Sequence, residues 1–568
     1  SLCCALLPAL AEHPEYPELK KSDANIIGHV LDKKTSEHLP YITIALKGTT
    51  IGTVTDATGH YFLKNLPEGN FMMEVSSVGY KTVTRSVTLK KGKTLEENFE
   101  LEEDAIALDG VVVSANRSET TRRLAPTLVN VVDLKLFETT NSSTLSQGLN
   151  FQRGVRVETT CQNCGFQQVR INGLDGPYTQ ILIDSRPVFS ALSGVYGLEQ
   201  IPASMIERVE VMRGGGSALF GSSAIAGTIN IITKEPLRNS GQLSHTITSI
   251  GGSSAFDNNT SLNASLVTDD HRAGLYIFGQ NRHRSGYDYD GDGFTELPKL
   301  KNQTVGFRSY LKTSTYSKLT FEYHHMQEFR RGGDMLDRPP HEAHIAEQLQ
   351  HSIDGGSLKY DYFSPNEKNR LSVFASAANT DRDSYYGPGN DPLKAYGKTT
   401  DLTAMGGVQY VHTFDKCLFM PSDLTAGLEY NRDRLKDNMW GYDRHTDQTV
   451  KVYSAFLQNE WKNKHWGILI GGRLDKHNMV DDVIFSPRAN LRFNPTDNIN
   501  LRLSYSSGFR APQAFDEDMH IENVGGTVAM IERAKDLKEE KSQSFSASAD
   551  MYHRFGAFQT NLLVEGFY

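Results

Sequence analysis

Three groups of residues in this sequence have types and spacings that could do chemistry. The run Asp288-Tyr289-Asp290-Gly291-Asp292-Gly293-Phe294-Thr295-Glu296 sets carboxylates at alternate positions, with a glycine at the sixth. That spacing wraps oxygens round a calcium ion as an EF-hand loop does. Asp288, Asp290, Asp292 and Glu296 would be the carboxylate ligands, with Phe294 offering its carbonyl. The twelfth position is Lys299 rather than a bidentate glutamate, so the loop departs from the regular motif. Ca2+ is the expected occupant, against the alternative of a solvated acidic turn.

The second group is Cys161-Gln162-Asn163-Cys164. A small disulfide loop joining Cys161 to Cys164 is the leading reading. A thiol metal site comes second, because a lone CxxC lacks the other two ligands of a closed zinc site. Thioredoxin-like redox chemistry comes third. The third group is a crowd of histidines: His324, His325, His341, His344 and His351, with Met326 beside the first pair. After Pro339-Pro340 the chain could turn into a short helix that sets His341, His344 and His351 on one face. A His/Met face could touch haem iron or a metal ion, although most such clusters are polar loop surface. His344-x-x-Glu347 also fits a short zinc-peptidase pattern. In a chain with 18 histidines so short a match arises by chance, and nothing catalytic surrounds it. An enzyme is not expected.

The whole chain narrows the classes that could hold these groups. Its 568 residues suggest several domains, and Lys+Arg 59 against Asp+Glu 68 gives a net charge of -9. There is no basic excess to bind nucleic acid. With 24 Tyr, 27 Phe and 48 Gly, disorder is excluded as the general state. No apolar run approaches the ~18 residues that a spanning helix needs. A membrane β-barrel survives this test, because its strands alternate apolar and polar and average to a soluble-looking hydropathy. Residues 1–11, Leu2-Cys3-Cys4 through Ala11 in particular, read as the remnant of a secretory signal cleaved after Ala11, and 12–25 as a linker. Export to an oxidising compartment would favour the disulfide.

Residues 26–102 break into strand-sized pieces separated by turns, the pattern of a small β-sandwich. Gly48-Thr49-Thr50 with Gly52, Thr55-Asp56, Gly59-x-Tyr61 and Ser77-Val78-Gly79-Tyr80 resemble the carboxypeptidase-regulatory-like domain. That domain is non-catalytic and often precedes outer-membrane receptors. Residues 103–116 are a linker carrying Asp109-Gly110-Val111-Val112-Val113-Ser114. Three valines in a polar, loop-like segment offer a short adhesive strand for β-augmentation by another protein, or an ordinary strand of the next domain.

Residues 117–235 decide between these. Ile206-Glu207-Arg208-Val209-Glu210-Val211-Met212-Arg213-Gly214-Gly215-Gly216-Ser217-Ala218-Leu219-Phe220-Gly221, continuing to Thr233-Lys234, closely resembles the plug of TonB-dependent outer-membrane receptors. Val169 to Leu174 and Gln180 to Val188 match its earlier strands. The resemblance implies that Asp109, Gly110, Val111, Val112, Val113 and Ser114 form the TonB box. In physical terms, Glu207, Val209 and Val211 alternate with Arg208 and Glu210 as a strand with one charged edge, and Gly214 to Gly216 permit a bend with φ > 0. Charged contacts would hold a plug that an external force could still release.

From 236 to 568 the chain runs in period-two segments, such as Leu319/Phe321/Tyr323 against Thr320/Glu322/His324. Aromatic residues near segment ends fit the girdles of a transmembrane antiparallel β-barrel. The family's barrels have twenty-two strands. The residues after the plug leave room for about 14 to 16, so a truncated barrel is expected. The fold class is therefore mainly β: an N-terminal sandwich, an α+β plug and the barrel. Phe485-Ser486-Pro487-Arg488 and Gly508-Phe509-Arg510-Ala511-Pro512 resemble barrel motifs of these receptors. Haem receptors of the family carry a histidine between such a motif and Asn-Pro-Asp-Leu. Here His520 follows, but the second motif reads Ala534-Lys535-Asp536-Leu537. Cobalamin receptors use calcium-loaded loops, which the acidic run would suit.

The expected function is TonB-driven import across a Gram-negative outer membrane of a large, scarce metal chelate: siderophore-bound iron, haem or cobalamin. Cys161, Gln162, Asn163, Cys164, His324, His325, His341, His344, His351 and His520 are the candidate ligand-binding residues. No covalent cofactor is expected, and the partners would be TonB, outer-membrane lipid and the chelate. The competing reading is a receptor that signals, or docks a surface lipoprotein, without transporting.

Overall fold

The computed structural model describes residues 22–56, 58–77, 79–103, 111–161, 163–187, 199, 201–222, 224–388, 395–515, 519–521, 529–530, 532–534, 536–556 and 558–568. The proposed signal remnant, most of the linker after it, Asp109, Gly110 and Gln162 lie outside these.

The amino-terminal unit is the sandwich that its turns and alternation predict. One sheet is built on Ala24–Asp32, which pairs His60–Leu66 antiparallel and Thr94–Glu96 and Phe99–Leu101 in parallel. The other runs Gly52–Val54, Thr43–Leu46, Gly69–Ser76, Val83–Leu89. Along Gly69–Ser76 the alternate residues Phe71, Met73 and Val75 turn inward to meet Ile26, Val30, Ile44 and Leu63 from the facing strands. The unit touches the barrel through its Gly48–Gly52 turn, where Thr50 Oγ1 donates to Thr315 O at 3.1 Å.

The plug is a four-stranded mixed sheet in the order Val129–Asp133, Ile206–Arg213, Gly227–Thr233, Thr179–Ile183. The last pair is parallel. Helices Leu134–Thr139 and Leu145–Leu149 cover one face, the first capped by Asp133, whose carboxylate accepts from Leu136 N at 2.9 Å. Phe137, Leu145 and Leu149 close the core against Val209, Val211, Ile229 and Ile231. Ile206–Arg213 lies in the middle of this sheet, so its charges are not on an edge: Glu210 is fully buried on the face opposite the valines. Gly214 and Gly215 adopt φ of +70° and +46°, the bend expected of the glycine run.

A separate hairpin, Val155–Cys161 paired with Phe166–Ile171, carries the CxxC at its tip. It points to the end of the barrel where the longest strands are joined.

Fifteen strands form one continuous antiparallel sheet from Ser240–Ser249 to Phe558–Phe567, each hydrogen-bonded to its sequence neighbour. Alternation sets the sidedness. In Ala273–Arg284, Tyr276, Phe278, Gln280, Arg282 and Arg284 are buried toward the plug, while Ile277 between them stays exposed on the side that would meet lipid. Short turns join strands at the sandwich end, as at Ser314–Ser317, and longer loops join them at the other, as at 285–298. No helix among the described residues is long and apolar enough to cross a membrane.

The hairpin tip can approach the wall only because Gly332 has no side chain. A Cβ there would lie 1.8 Å from Asn163 O. Gly332→Val should therefore lift the tip, at a cost of about 1–3 kcal/mol. The expected result is faster thiol labelling of Cys161 and Cys164, read peptide by peptide by mass spectrometry. The heat-dependent gel mobility of the folded barrel should stay unchanged. Unaltered labelling would show that the tip does not rest on the wall.

Candidate functional site

Buried ion pairs join the plug to the barrel, beside apolar contacts at Tyr276 and Phe278 and around Phe166. Glu199 of the plug faces three wall arginines, with Arg330 at 2.8 Å, Arg284 at 3.4 Å and Arg282 at 3.5 Å. Burial works against the Glu199 carboxylate, but Arg330, Arg284 and Arg282 outweigh it and hold its pKa down at about 2. Asp184 of the plug pairs with wall Arg308 at 2.5 Å, and Arg117 with wall Glu429 at 2.5 Å. Glu429 also binds Arg473, whose Nη1 donates to Leu219 O of the plug at 3.2 Å. These contacts ring the lumen and leave cavities between plug and wall, one of about 180 Å³ lined by Gln168, Thr179, Phe220, Asp475 and His477.

On the sandwich side, the valine-rich segment is folded into the plug. Val111–Val112 pairs antiparallel with Thr120–Thr121, and Val112 packs with Ala115, Ala125 and Val129. One carboxylate oxygen of Glu210 accepts from Val113 N (2.9 Å), Ser114 N (2.9 Å) and Ser114 Oγ (2.7 Å). Arg208 Nε donates to its other oxygen at 2.9 Å, and Asn230 Nδ2 donates to Ser114 Oγ at 3.0 Å. The segment is thus clasped by the central strand of the plug sheet.

At the opposite end the CxxC finds partners from two other parts of the chain. The expected disulfide between the two cysteines is not formed in this structure. The two sulfurs lie in one cluster with a carboxylate and an imidazole. Cys161 Sγ donates to Glu347 Oε2 at 3.2 Å, and Cys164 Sγ lies 3.3 Å from His520 Nε2. His520 Nε2 is 3.6 Å from Glu347 Oε2. Glu347 comes from the wall strand Ile345–Phe363, opposite Gly332 in the register, and His520 from the loop after Ile499–Arg510. The hydrogen bond from Cys164, helped by His520 and opposed by burial, lowers the Cys161 thiol to about 6. Burial disfavours charge on His520, but hydrogen bonds to Cys161 and Glu347 prevail and raise it to about 9.

The other histidines do not join them. Instead of the expected helix there is a short 3-10 turn, Pro340–Glu342, followed at once by the wall strand, so His341, His344 and His351 share no face. Pairing along the whole hairpin with Ser317–Gly333 outweighs the local helical start. His341 contacts Tyr396 Oη at 2.8 Å, His344 pairs with Asp334 at 2.6 Å, and His351 is buried 3.6 Å from Glu328. His324 and His325, adjacent on one strand, point to opposite faces: His324 lines a lumen cavity with Arg308 and Glu322, and His325 meets Asp354 at 2.8 Å. The acidic loop does gather Asp288, Asp290, Asp292 and Glu296, each offering an oxygen within 4.8 Å of the others. Gly291 N and Gly293 N donate to Asp288, and Phe294 N to Asp292.

Comparison with known proteins matches this architecture. Residues 26–113 match the CarboxypepD_reg-like domain, 121–228 the TonB-dependent Receptor Plug Domain, and 230–568 the family described as TonB dependent receptor-like, beta-barrel. The chain belongs to the TonB-dependent receptor family. Receptors of this family are barrels of the Gram-negative outer membrane and are not enzymes. A vitamin B12 transporter BtuB of Vibrio vulnificus strain CMCP6 is 24% identical over 72% of this chain and 64% of its own. Another, from strain YJ016, is 28% identical over 37% of this chain and 39% of its own. The chain thus spans less than two thirds of the curated relatives it matches. Among solved structures, the siderophore receptor PirA of Acinetobacter baumannii superposes with a TM-score of 0.64 at 18% identity, covering 78% of this chain and 70% of that one. The ferric citrate transporter FecA in its unliganded form gives 0.59 at 14% identity, covering 76% and 68%. At these identities the likeness is one of fold.

In this TonB-dependent receptor the residues that reading by motif passed over are Glu199, Glu210 and Glu347. Glu199 had a signal in its partners, since it meets wall arginines from charged runs that recur with period two, Arg282/Arg284 and Glu328/Arg330. Glu210 is the clasp, and hydrogen bonds to a charged acceptor are worth about 1.5–3 kcal/mol each. Glu210→Ala should free Val113 and Ser114, raising their amide hydrogen exchange at least about tenfold. Glu210→Gln, which keeps the shape but loses the charge, should fall between the two. Protection equal to that of the unaltered chain in both variants would remove Glu210 from this role.

Proposed function

We propose that this receptor imports a metal-containing solute across the outer membrane, with TonB supplying the force that displaces the plug. The observation that carries the reading is the clasp of Val113 and Ser114 by Glu210. A pull on the segment beginning at Asp109 would act directly on the central strand of the plug sheet, through hydrogen bonds to one carboxylate. Val111 to Val113 would supply the strand that TonB pairs with by β-augmentation. The lumen contacts that resist the pull are ion pairs, which water can take over as they separate.

The cargo class is siderophore-bound iron, haem or cobalamin. It is supported by relatives named as vitamin B12 transporters and by structural neighbours named as siderophore, ferric enterobactin and ferric citrate receptors or transporters. The cargo would arrive at the long-loop end, over the hairpin tip that carries Cys161, Asn163 and Cys164. Deleting residues 109–114 should abolish uptake of labelled cobalamin or ferric siderophore by cells and leave its surface binding intact. Uptake that survives the deletion overturns the coupling. Binding without uptake by the unaltered chain would instead favour a signalling receptor, or a platform for a surface lipoprotein to which the sandwich would be incidental.

The loop Asp288 to Glu296 would hold Ca2+ through its four clustered carboxylates. Calcium should then protect this loop from limited proteolysis, with the protection lost on chelation and absent in Asp288→Asn/Asp292→Asn. Cleavage at the same rate with and without calcium would identify it as a solvated acidic turn.

A further inference from the structure

We propose that Cys161, Cys164, Glu347 and His520 form a closed binding site for a zinc-class divalent cation, built where plug, barrel wall and external loop meet. One ligand atom from each residue lies within 4.8 Å of all the others. Tetrahedral zinc with bonds of ~2.3 Å to sulfur and ~2.0–2.1 Å to nitrogen or oxygen requires ligand-to-ligand edges of about 3.4–3.8 Å. Three of the six edges here are 3.2 Å (Cys161 to Glu347), 3.3 Å (Cys164 to His520) and 3.6 Å (His520 to Glu347), close to those lengths, and the other three lie within 4.8 Å, so a modest contraction would enclose an ion.

The surroundings favour a cation over the bare cluster. Cys164 is fully buried, the Glu347 side chain is 4% exposed, and Phe166, Leu349, Tyr386, Met439 and Ile521 pack around them. A carboxylate placed beside two sulfurs in such a setting carries a desolvation cost that a divalent ion would offset. The ring of His520 is also held edge-on by Phe166 and Tyr386, at centroid distances of 5.3 Å each, which aims its Nε2 at the sulfurs. A disulfide between the two cysteines would account for neither the inward Glu347 nor the oriented His520. Sulfur together with imidazole and carboxylate is a borderline donor set, which suits Zn2+ better than the hard Ca2+ of the acidic loop. Binding takes both sulfurs as thiolates and His520 as the neutral imidazole, so whatever protons these three groups carry in the free cluster go to solvent.

Four protein ligands leave no open position, so the site would fasten rather than catalyse. Its ligands come from three separate elements, and the bound ion would tie the hairpin tip to the wall and to the loop bearing His520. The site is independent of the import reading, because it concerns the purified receptor whether or not it transports.

The test uses the full chain purified in detergent, reduced and stripped with a chelator. Zn2+ is titrated in competition with a chromophoric chelator, and Co2+ serves as a spectroscopic probe. One equivalent of zinc should bind, and cobalt should show thiolate-to-metal charge transfer with the intense visible bands of a tetrahedral site. Cys161→Ser/Cys164→Ser should remove the charge-transfer band and weaken zinc at least about a hundredfold. His520→Ala and Glu347→Gln should each weaken it at least about tenfold while keeping the band. His344→Ala, outside the cluster, should change nothing. Heat-dependent gel mobility checks that each barrel is folded, and His520→Ala, in a loop, tests the site even if Glu347→Gln does not fold. Absence of the charge-transfer band overturns the proposal, as does unchanged affinity in the double cysteine variant. Recovery of a Cys161–Cys164 disulfide from metal-free protein isolated from cells also overturns it.

Discussion

The plug is held in its barrel by buried ion pairs, and the rest of the architecture follows from that choice. An apolar plug face would gain about 25 cal/mol per Å² of buried surface, and would have to surrender it all at once to move through water. Buried pairs behave otherwise. Their net worth against a hydrophobic replacement is near zero or negative, yet losing one partner costs about 3–5 kcal/mol because the other is left buried and alone. Glu199 among Arg282, Arg284 and Arg330, and Asp184 against Arg308, therefore enforce position strongly while adding little to the cost of complete withdrawal, where every group is rehydrated. The depressed carboxyls carry a sign. With folded values at about 2 for both Asp184 and Glu199, their contribution is whole above the ordinary carboxylate range near 4 and disappears only as the pH falls through about 2. These two contributions are thus constant above the ordinary carboxylate range.

Much of this was legible in the sequence because it is local. Period-two alternation located the wall strands, and it requires only neighbours along the chain. The glycine run at 214–216 announced a positive-φ bend, and the triple valine announced an adhesive strand; both depend on a few consecutive residues. The part that failed is non-local. His341, His344 and His351 look like a helical face after two prolines, but the hairpin from 317 to 363 pairs seventeen residues on each side and leaves only a single turn for that helix. Cys161 and Cys164 read as a disulfide because their two other partners stand 186 and 356 residues away. No spacing rule reaches across that distance. Glu347 shows this most plainly. In the linear pattern it completes a meaningless peptidase match with His344, whereas in the fold His344 turns to Asp334 and Glu347 turns into the lumen.

The two ends of the plug are built for opposite tasks by the same means, a carboxylate that gathers donors. At the sandwich end Glu210 collects two backbone N–H groups and a hydroxyl from Val113 and Ser114. On the import reading proposed above, these bonds would lie in series with the pull and could be exchanged for bonds to a partner strand. At the outer end Glu347 collects a thiol from the hairpin tip and an imidazole from the loop that packs on it. The central strand connects the two only indirectly, through the plug core of Val209, Val211, Ile229 and Ile231, which packs on Val155, Val169 and Ile171 of the hairpin. Because that core is close-packed, a displacement of Glu210 cannot be absorbed by soft intervening structure and must appear as movement of the hairpin or rupture of the sheet. The wall at Gly332 then sets the threshold. The hairpin tip is in backbone contact there, and on the import reading it would have to clear Gly332 before the lumen could open.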